Sequence, residues 1–187
     1  MADARQAIAE HVALAARVEE LLPEIERVVS TLVSCYESHG RVYTFGNGGS
    51  ASDSMHFAEE LVARFKRERR PLPAQSLAAD PSVLTCIAND YEYDEVFARQ
   101  VRGFARAGDV VVGFTTSGRS ANVVRGLAAA HEAQATTVLF AGGTGRPAVD
   151  HADLALVVPA ESTARVQEMH GLLLHLILDE VDEWAAG

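Results

Sequence analysis

Apolar residues recur at helical spacing over residues 4–39. They lie three or four positions apart through "IAEHVALAARVEELL" and again through "IERVVSTLVSCY", which predicts helix from Ala4 to about His39. Pro23 is expected to break this segment or to open a second helix, because proline is tolerated in a first helical turn. Gly40 follows and is expected to cap the helical segment.

After Gly40 the chain alternates between short apolar runs and helical patterns. The runs predict strands at 41–46, 74–79, 109–114, 136–142 and 152–158. Helices are predicted at 52–65, 81–90, 93–105, 120–133 and 161–184. Alternating strands and helices indicate a parallel sheet covered on both faces. We therefore expect an α/β fold, a three-layer αβα sandwich of flavodoxin-like type around a five-stranded parallel sheet, with an N-terminal helical extension.

The domain organisation predicted from this pattern is simple. No internal repeat, low-complexity tract or linker interrupts the 187 residues, so 1–187 is expected to be one domain. A five-stranded sheet does not need the apolar helices of about residues 1–40 for its own cover. These helices are therefore expected to pack between subunits of an oligomer, most simply a tetramer.

Composition and charge narrow the class of partner. Apolar residues make up 48% of the chain and charged residues 22%, which is ordinary for a soluble globular protein. The formal net charge of −10 argues against nucleic acid or an anionic membrane as the main partner. The one basic cluster, "RFKRERRP" at 64–71, is interpreted as a solvated loop.

Cysteine usage and the termini point to the cytoplasm. Cys35 and Cys86 both lie in apolar sequence, which favours buried, reduced thiols over a disulfide framework. The start, "MADARQAIAEH", lacks the basic and apolar regions of a signal peptide, and no apolar run has the length of a membrane span.

Two predicted strand ends carry loops suited to anions. "GNGGS" (46–50) follows the first strand, and its glycines let backbone N–H groups approach a ligand closely. "TTSGRS" (115–120) follows the third strand and precedes a helix, whose N-terminus offers free N–H groups beside four hydroxyls. Either loop alone is also compatible with an ordinary turn and helix cap. Together, at two strand ends of one α/β sheet, they favour binding of a phosphate.

A second constellation consists of possible metal ligands or proton carriers. His56 and Glu60 are four apart on the helix after "GNGGS", so both can point the same way, although many such pairs are simply solvated. The closing helix contains "RVQEMHGLLLH", with candidates at Gln167, Glu168, His170 and His175. His175 is either a satisfied core histidine or a desolvated imidazole suited to a metal or to general base chemistry.

Spacing leaves the grouping of the late candidates open. Gln167 and His175 are eight residues apart, which corresponds to about 12 Å along a helix axis. To converge on one atom, the two side chains must therefore lean toward each other at nearly full reach. Otherwise they come from different chains of an oligomer.

Four segments together resemble a sugar isomerase (SIS) domain of the phosphoheptose isomerase family. They are "FGNGGSASDSMHFAEELVARF", "CIANDYEYDEVFARQV", "GFTTSGRSANVV" and "ARVQEMHGLLLH", and the resemblance extends from about residue 5 to 185. The resemblance implies a cytosolic homotetramer with active sites between subunits. It also implies isomerisation of sedoheptulose 7-phosphate to D-glycero-D-manno-heptose 7-phosphate through an enediol, with Zn²⁺ as cofactor.

The resemblance also implies roles for individual residues. The zinc ligands of the family fall on His56, Glu60, Gln167 and His175, and its acid–base pair on Glu60 and His175. Its substrate contacts fall on Asn47, Gly48, Gly49, Ser50, Arg64, Asn89, Asp90, Thr115, Thr116, Ser117, Ser120 and Gln167. Members often carry an acidic residue three positions before the late glutamine, where this chain has Ala164.

Two other functions are compatible with parts of the pattern. A related non-enzymatic SIS tetramer binds the bacterial replication initiator protein DnaA and resembles this chain in "CIAND" and "ARVQEMH". That relative lacks a histidine at the position of His175, so His175 and "HFAEEL" favour the enzyme. A third possibility, a sugar phosphate sensor, usually carries a fused DNA-binding segment, which we do not find in the sequence.

Overall fold

The computed structural model describes residues 2–187, and its centre is one parallel β-sheet. The five strands lie in the order β2-β1-β3-β4-β5, with every neighbouring pair parallel. Their bounds are β1 Val42–Gly46, β2 Ala74–Ser76, β3 Val110–Thr115, β4 Thr136–Gly142 and β5 Leu154–Val158. The predicted five-stranded parallel sheet is confirmed.

Seven α-helices flank this sheet over the described residues. They are α1 Ala2–Arg17, α2 Leu22–Glu37, α3 Gly49–Val62, α4 Pro81–Asp90, α5 Ala98–Phe104, α6 Ala121–Glu132 and α7 Thr163–Ala186. Short 3-10 turns occur at Val18–Leu21, Tyr93–Glu95 and Ala148–His151. Pro23 lies in the first turn of α2, as proline should, since it lacks the N–H that would be unpaired there.

The helices form two layers, one on each face of the sheet. Successive strand residues alternate between faces, so Val110 and Val112 pack with α1, α2, α3 and α7, whereas Val111 packs with α4, α5 and α6. The three central strands are buried along nearly their whole length. The αβα sandwich and the N-terminal helical extension of α1 and α2 are thus as predicted.

Among the element boundaries that differ from the prediction, those of β2, of the helix at 93–105 and of the start of α3 have identifiable reasons. Strand β2 ends at Ser76 rather than at 79, because the chain turns there into the N-cap of α4 at Asp80. The helix expected at 93–105 is divided into the 3-10 turn Tyr93–Glu95 and the shorter α5. Helix α3 begins at Gly49, three residues earlier than expected. The sequence pattern did not indicate this start because glycines are poor helix formers.

The sheet order fixes where a ligand can bind. Strand β1 lies in the sheet between β2 and β3, so the chain leaves β1 toward one edge and later strands are added on the other side. Ligands of open α/β sheets bind outside the carboxyl ends of the strands at such a reversal. The glycine loop follows β1 and the hydroxyl loop follows β3, so both end at this crevice.

The basic segment 64–71 is not simply a solvated loop, which corrects the sequence interpretation. The Asp182 carboxylate on α7 is 1% exposed, and it accepts hydrogen bonds from the backbone N–H groups of Lys66 (3.0 Å) and Arg67 (2.7 Å). Arg69, whose side chain is also 1% exposed, donates through Nε to the same carboxylate at 2.9 Å. The other end of its guanidinium donates to the carbonyl of Glu60 at 2.6 Å, so Arg69 joins the C-terminal end of α3 to α7.

The two cysteines have different environments. Cys35 is buried, where loss of hydration raises the pKa of its thiol to about 11. Cys86 is exposed on α4, contrary to the expectation of two buried thiols, because it lies on the outward face of that helix. Among the helices of residues 2–187, none combines the length and the apolar character that a membrane span requires.

Candidate active site

The loop after β1 is shaped by two glycines with different roles. Gly48 has a φ of +57°, a backbone conformation that side chains with a Cβ rarely adopt. Gly49 begins α3, and a Cβ at this position would collide with the side-chain amide of Gln167 from α7. The loop therefore needs glycine at 48 for its turn and at 49 for the close approach of Gln167.

Asn47, the first residue after β1, has its side chain fixed by two neighbours. Its amide and that of Asn122 on α6 exchange two hydrogen bonds, of 2.8 and 2.9 Å. The Tyr93 hydroxyl donates a third, at 3.0 Å, to Asn47 Oδ1. The loop after β1 is thus tied to the helix that follows the loop after β3.

The loop after β3 presents hydroxyls that local structure leaves partly free. Ser120 is the N-cap residue of α6, yet its side chain does not make the usual capping hydrogen bond. Its Oγ lies 3.4 Å from Thr115 Oγ1. Ser117 Oγ accepts a bond from the Arg119 N–H at 3.2 Å, which leaves its own hydrogen available. These hydroxyls lie at the N-terminus of α6, where an anion is stabilised.

Helices α3 and α7 bring three of the predicted metal or acid–base residues together within one chain. His56 Nε2 and Glu60 Oε1 are 3.3 Å apart on α3. The ring of His175 on α7 lies edge to face with that of His56, with centroids 5.1 Å apart. On its other side His175 stacks on Phe65 at 5.4 Å.

Gln167, the fourth residue, lies at a different level of the same helix pair. Its amide contacts Gly49, seven residues before His56, which corresponds to about 10 Å along α3. Among the described residues its amide makes no hydrogen bond with His56, Glu60 or His175. A single chain therefore groups three of the four residues and holds Gln167 at the glycine loop.

The local electrostatics shift the pKa values of two groups near this cluster in the direction of their neutral forms. Partial loss of hydration lowers the pKa of His175, and the neighbouring His56 lowers it further. Burial raises the pKa of Asp53, one turn before His56, to about 6, although His56 opposes this shift. One carboxylate oxygen of Asp53 is buried and has no hydrogen-bond partner within residues 2–187.

The cluster is open to solvent in the single chain. The side chain of His56 is 40% exposed, and His175 lies on the outer side of α7 while Leu174 and Ile177 face the core. The apolar run around His175 therefore does not bury it. Large apolar side chains next to the cluster residues in sequence are also exposed, namely Met55 and Val62 on α3 and Leu176 on α7. A cavity of about 410 Å³ lies elsewhere, at the opposite ends of the strands beside α2.

Three of the predicted substrate contacts lie outside these groups. Arg64 is exposed just after α3, with a long 3.9 Å approach to Glu68. Asn89 and Asp90 are exposed at the C-terminal end of α4, where Asn89 Nδ2 donates to Asp90 Oδ1 at 2.8 Å. None of the three contacts His56, Glu60 or His175 through a hydrogen bond or ion pair in the described part of the chain.

The other predicted candidates on α7 have structural surroundings. His170 is completely buried between Phe114 and Phe140, and neither ring nitrogen has a well-formed hydrogen bond to any residue of 2–187. Burial lowers its pKa to about 4, against a weak opposing effect of the Ala141 backbone. Glu168 instead pairs with His11 of α1 at 2.7 Å. Both residues therefore lie away from the exposed cluster.

Three residues lie at the site that were not predicted from the sequence, namely Asp53, Asn122 and Tyr93. Asp53 is three residues before His56, so helical spacing alone places it on the same face. Asn122 is the one polar residue on the buried, otherwise apolar side of α6, which was a second available signal. Tyr93 gives no such signal, since its contact with Asn47 spans 46 positions and depends on the tertiary fold.

The chain matches known families over most of its length. A family model described as SIS domain matches residues 8–142. A phosphoheptose isomerase of Roseiflexus sp. (strain RS-1) is 45% identical over 165 residues, which cover 88% of this chain and 84% of that relative. A phosphoheptose isomerase of Helicobacter pylori (strain P12) is 42% identical over 95% of this chain and 93% of its own length.

A solved structure of a phosphoheptose isomerase is also similar to this chain. The phosphoheptose isomerase GmhA of Neisseria gonorrhoeae superposes with a TM-score of 0.90 at 37% identity, covering 98% of this chain and 100% of that chain. The match extends over the N-terminal helices as well as the sheet.

Proposed function

Because the chain belongs to the phosphoheptose isomerase family of SIS domains, we propose that it converts D-sedoheptulose 7-phosphate to D-glycero-D-manno-heptose 7-phosphate. The chain is a sugar phosphate isomerase, and the proposal concerns its substrate, its catalytic residues and its metal. The observation that carries the proposal is the grouping of Glu60, His56 and His175 on α3 and α7, where α3 is the helix that begins at the glycine loop.

The proposed reaction moves hydrogen between two neighbouring carbons. A base removes a proton from C1 of the open-chain ketose while the C2 carbonyl oxygen receives one, and the product is a 1,2-enediol. A proton is then delivered to C2, and the C1 hydroxyl loses its proton to leave the aldehyde. No electron donor or acceptor outside the sugar is needed, because C1 is oxidised as C2 is reduced.

We assign the two proton transfers to Glu60 and His175. Glu60 is largely shielded, with its side chain 16% exposed, and it lies beside the His56 imidazole. Its carboxylate is therefore suited to take a proton from a carbon acid and to return it. The lowered pKa of His175 favours the neutral imidazole, which can exchange a proton with the sugar oxygens.

The loops are assigned to binding. The hydroxyls of Thr115, Thr116, Ser117 and Ser120 and the N-terminus of α6 would hold the phosphate without a lysine or arginine, which suits an acidic chain. The residues Asn47, Gly48, Gly49 and Ser50 would contact the sugar through backbone and side-chain groups. Arg64, Asn89 and Asp90 are assigned as further contacts, which require a neighbouring subunit or a movement of the chain.

Two of the proposed donors, His56 and Glu60, have the spacing of zinc ligands. Ligand atoms of a tetrahedral zinc site with bonds near 2.0–2.1 Å lie about 3.3 Å apart. His56 Nε2 and Glu60 Oε1 are 3.3 Å apart, and a carboxylate of Glu59 lies within the same 4.8 Å group. We propose His56, Glu60, His175 and Gln167 as ligands. When bound, Zn²⁺ would polarise the carbonyl oxygen of the sugar.

We further propose that the active enzyme is a homotetramer with sites between subunits. The exposed apolar side chains support this: Ile8 and Val12 on α1 are 64% and 62% exposed, and Val62 beside the cluster is 46% exposed. A second subunit would cover the cluster. It would also supply groups, such as the Gln167 amide, that lie too far from the cluster within one chain. We also propose a cytoplasmic location, because charged sugar phosphates do not cross membranes.

Incubation of the purified protein with sedoheptulose 7-phosphate tests this proposal. A heptose-specific coupled step would report the product, with and without a chelator and with Zn²⁺ added back. We expect product formation that the chelator removes and Zn²⁺ restores. Product formation that the chelator leaves unchanged would contradict the metal assignment. A protein that forms no product in any condition would contradict the isomerase assignment.

A further inference from the structure

The loop after β1 and the helix after β3 are locked together by a reciprocal pair of amides. Asn47 Nδ2 donates to Asn122 Oδ1 at 2.8 Å, and Asn122 Nδ2 donates to Asn47 Oδ1 at 2.9 Å. Asn122 is 2% exposed, so water cannot replace its partner. Rotation of either amide would break both bonds.

The Tyr93 hydroxyl completes this arrangement and determines what Asn47 can offer to a ligand. It donates to Asn47 Oδ1 at 3.0 Å. An amide oxygen has two lone pairs, and Asn122 and Tyr93 occupy both. Of the two hydrogens on Asn47 Nδ2, one is used by Asn122. Within the described part of the chain, the side chain of Asn47 therefore has one free N–H and no free acceptor.

The turn that carries Tyr93 is held by charges from the same helix that carries Asn122. Arg125 on α6 pairs with Glu95 at 2.8 Å, with Asp94 at 3.5 Å and with Glu92 at 3.6 Å. These three carboxylates flank Tyr93 on both sides. Although each exposed pair is weak alone, the group restricts the turn and keeps the hydroxyl above Asn47.

We propose that Tyr93 and Asn122 are positioning residues that fix the Asn47 amide so that its free N–H faces an acceptor oxygen of the sugar phosphate. The ligand atom at this point is an acceptor, a carbonyl or hydroxyl oxygen of the sugar, since a group that only donates finds no acceptor on Asn47. This inference rests on the proposed function, in which Asn47 contacts the substrate.

The inference predicts that Tyr93 acts only through Asn47, which a double-mutant cycle can measure. The four proteins are wild type, Tyr93→Phe, Asn47→Ala and the double variant, and kcat and KM for sedoheptulose 7-phosphate are measured for each. In the wild-type background, loss of one neutral hydrogen bond should lower kcat/KM by about 3- to 10-fold. In the Asn47→Ala background, Tyr93→Phe should have no effect.

Tyr91→Phe is the matched control. Tyr91 is also exposed, two residues earlier, and its ring lies under the Arg99 guanidinium at 4.0 Å, a contact that phenylalanine retains. Its hydroxyl has no hydrogen-bond partner within the described residues, so the change should leave kcat/KM unaltered. Tyr93 is preferred to Asn122 for the test because it is 59% exposed, and its replacement should not impair folding.

The outcomes separate this inference from the proposed function. Equal effects of Tyr93→Phe in both backgrounds, as expected for a merely structural role or a direct substrate contact, would overturn the inference alone. The same holds if Tyr93→Phe has no effect in the wild-type background. A wild-type protein that does not act on sedoheptulose 7-phosphate would refute the proposed function, and this inference with it.

Discussion

The imidazole rings of His56 on α3 and His175 on α7 lie edge to face with their centroids 5.1 Å apart. The two helices run in the same direction, since Gln167 lies beside Gly49 at one level and His175 beside His56 at the next. This alignment brings a carboxylate and two imidazoles to one place, although the sequence separates them widely.

Metal binding should depend on both histidines. We expect wild-type protein to bind about one equivalent of Zn²⁺ per chain and His56→Ala or His175→Ala to bind it much more weakly, because each removes a nitrogen ligand. Metal content after dialysis, measured by elemental analysis, is the readout. His131→Ala, an exposed histidine on α6, is the control and should retain the metal. Full metal content in both site variants would contradict the ligand assignment.

Gly49→Ala should impair activity without unfolding the chain. The added Cβ would meet only the end of the flexible Gln167 side chain, so the amide moves and the backbone stays in place. We expect kcat/KM to fall at least about tenfold, as for Gln167→Ala, because the displaced Gln167 amide loses its proposed bond to the charged Zn²⁺ ion. In a Gln167→Ala background, Gly49→Ala should lower kcat/KM little further. Gly103→Ala, where a Cβ has open space, is the control.

Ser120→Ala should act mainly on substrate binding. The hydroxyl makes no helix cap, so its removal takes a bond to the phosphate and leaves α6 intact. We expect KM to rise roughly 10- to 100-fold with kcat nearly unchanged. Ser30→Ala on α2 is the control, and steady-state kinetics is the measurement. A fall in kcat at constant KM would give the loop a different role.

The buried pair of Arg69 and Asp182 should make stability depend on acid pH. Burial acts to raise the pKa of Asp182, but hydrogen bonds from Arg67, Lys66 and Arg69 outweigh it, so the pKa lies below its usual value. A lowered pKa in the folded state gives stability that is present above about pH 3.9 and is lost as the pH falls through the folded pKa.

Asp182→Asn tests this linkage. At neutral pH the variant should lose about 3–5 kcal/mol in the free energy of unfolding, because it leaves the Arg69 charge buried and unpaired. The difference from wild type should shrink in acid. Urea unfolding at equal protein concentration gives both values, with the exposed Glu183→Gln as control. A difference that is constant with pH would contradict this account.

The fold was predictable from sequence because its signal is local. The strands at the centre of the sheet are buried on both faces, so β3 appears as the continuous apolar run 110–114. The start of α3 was misplaced because glycine at 48 and 49 looks like loop in a local pattern. The basic cluster was misinterpreted because the carboxylate that pairs with Arg69 lies 113 positions away.

The candidate site was predictable only in part. His56 and Glu60 share a helix face, so spacing alone groups them. The alignment of α7 with α3 determines that His175 joins this pair. The same alignment places Gln167 beside Gly49 instead. The bonds of Tyr93 and Asn122 with Asn47 likewise depend on tertiary contacts that no local pattern encodes.

The most direct test of the central claim is the rate of heptose 7-phosphate formation from sedoheptulose 7-phosphate by zinc-replete wild type, Glu60→Gln and His175→Gln. We predict turnover by wild type and a fall in kcat of at least about 10²-fold in each folded variant, the usual range for a lost general acid or base. A wild-type tetramer that carries zinc and forms no heptose phosphate would contradict the account and favour a binding role for this SIS domain.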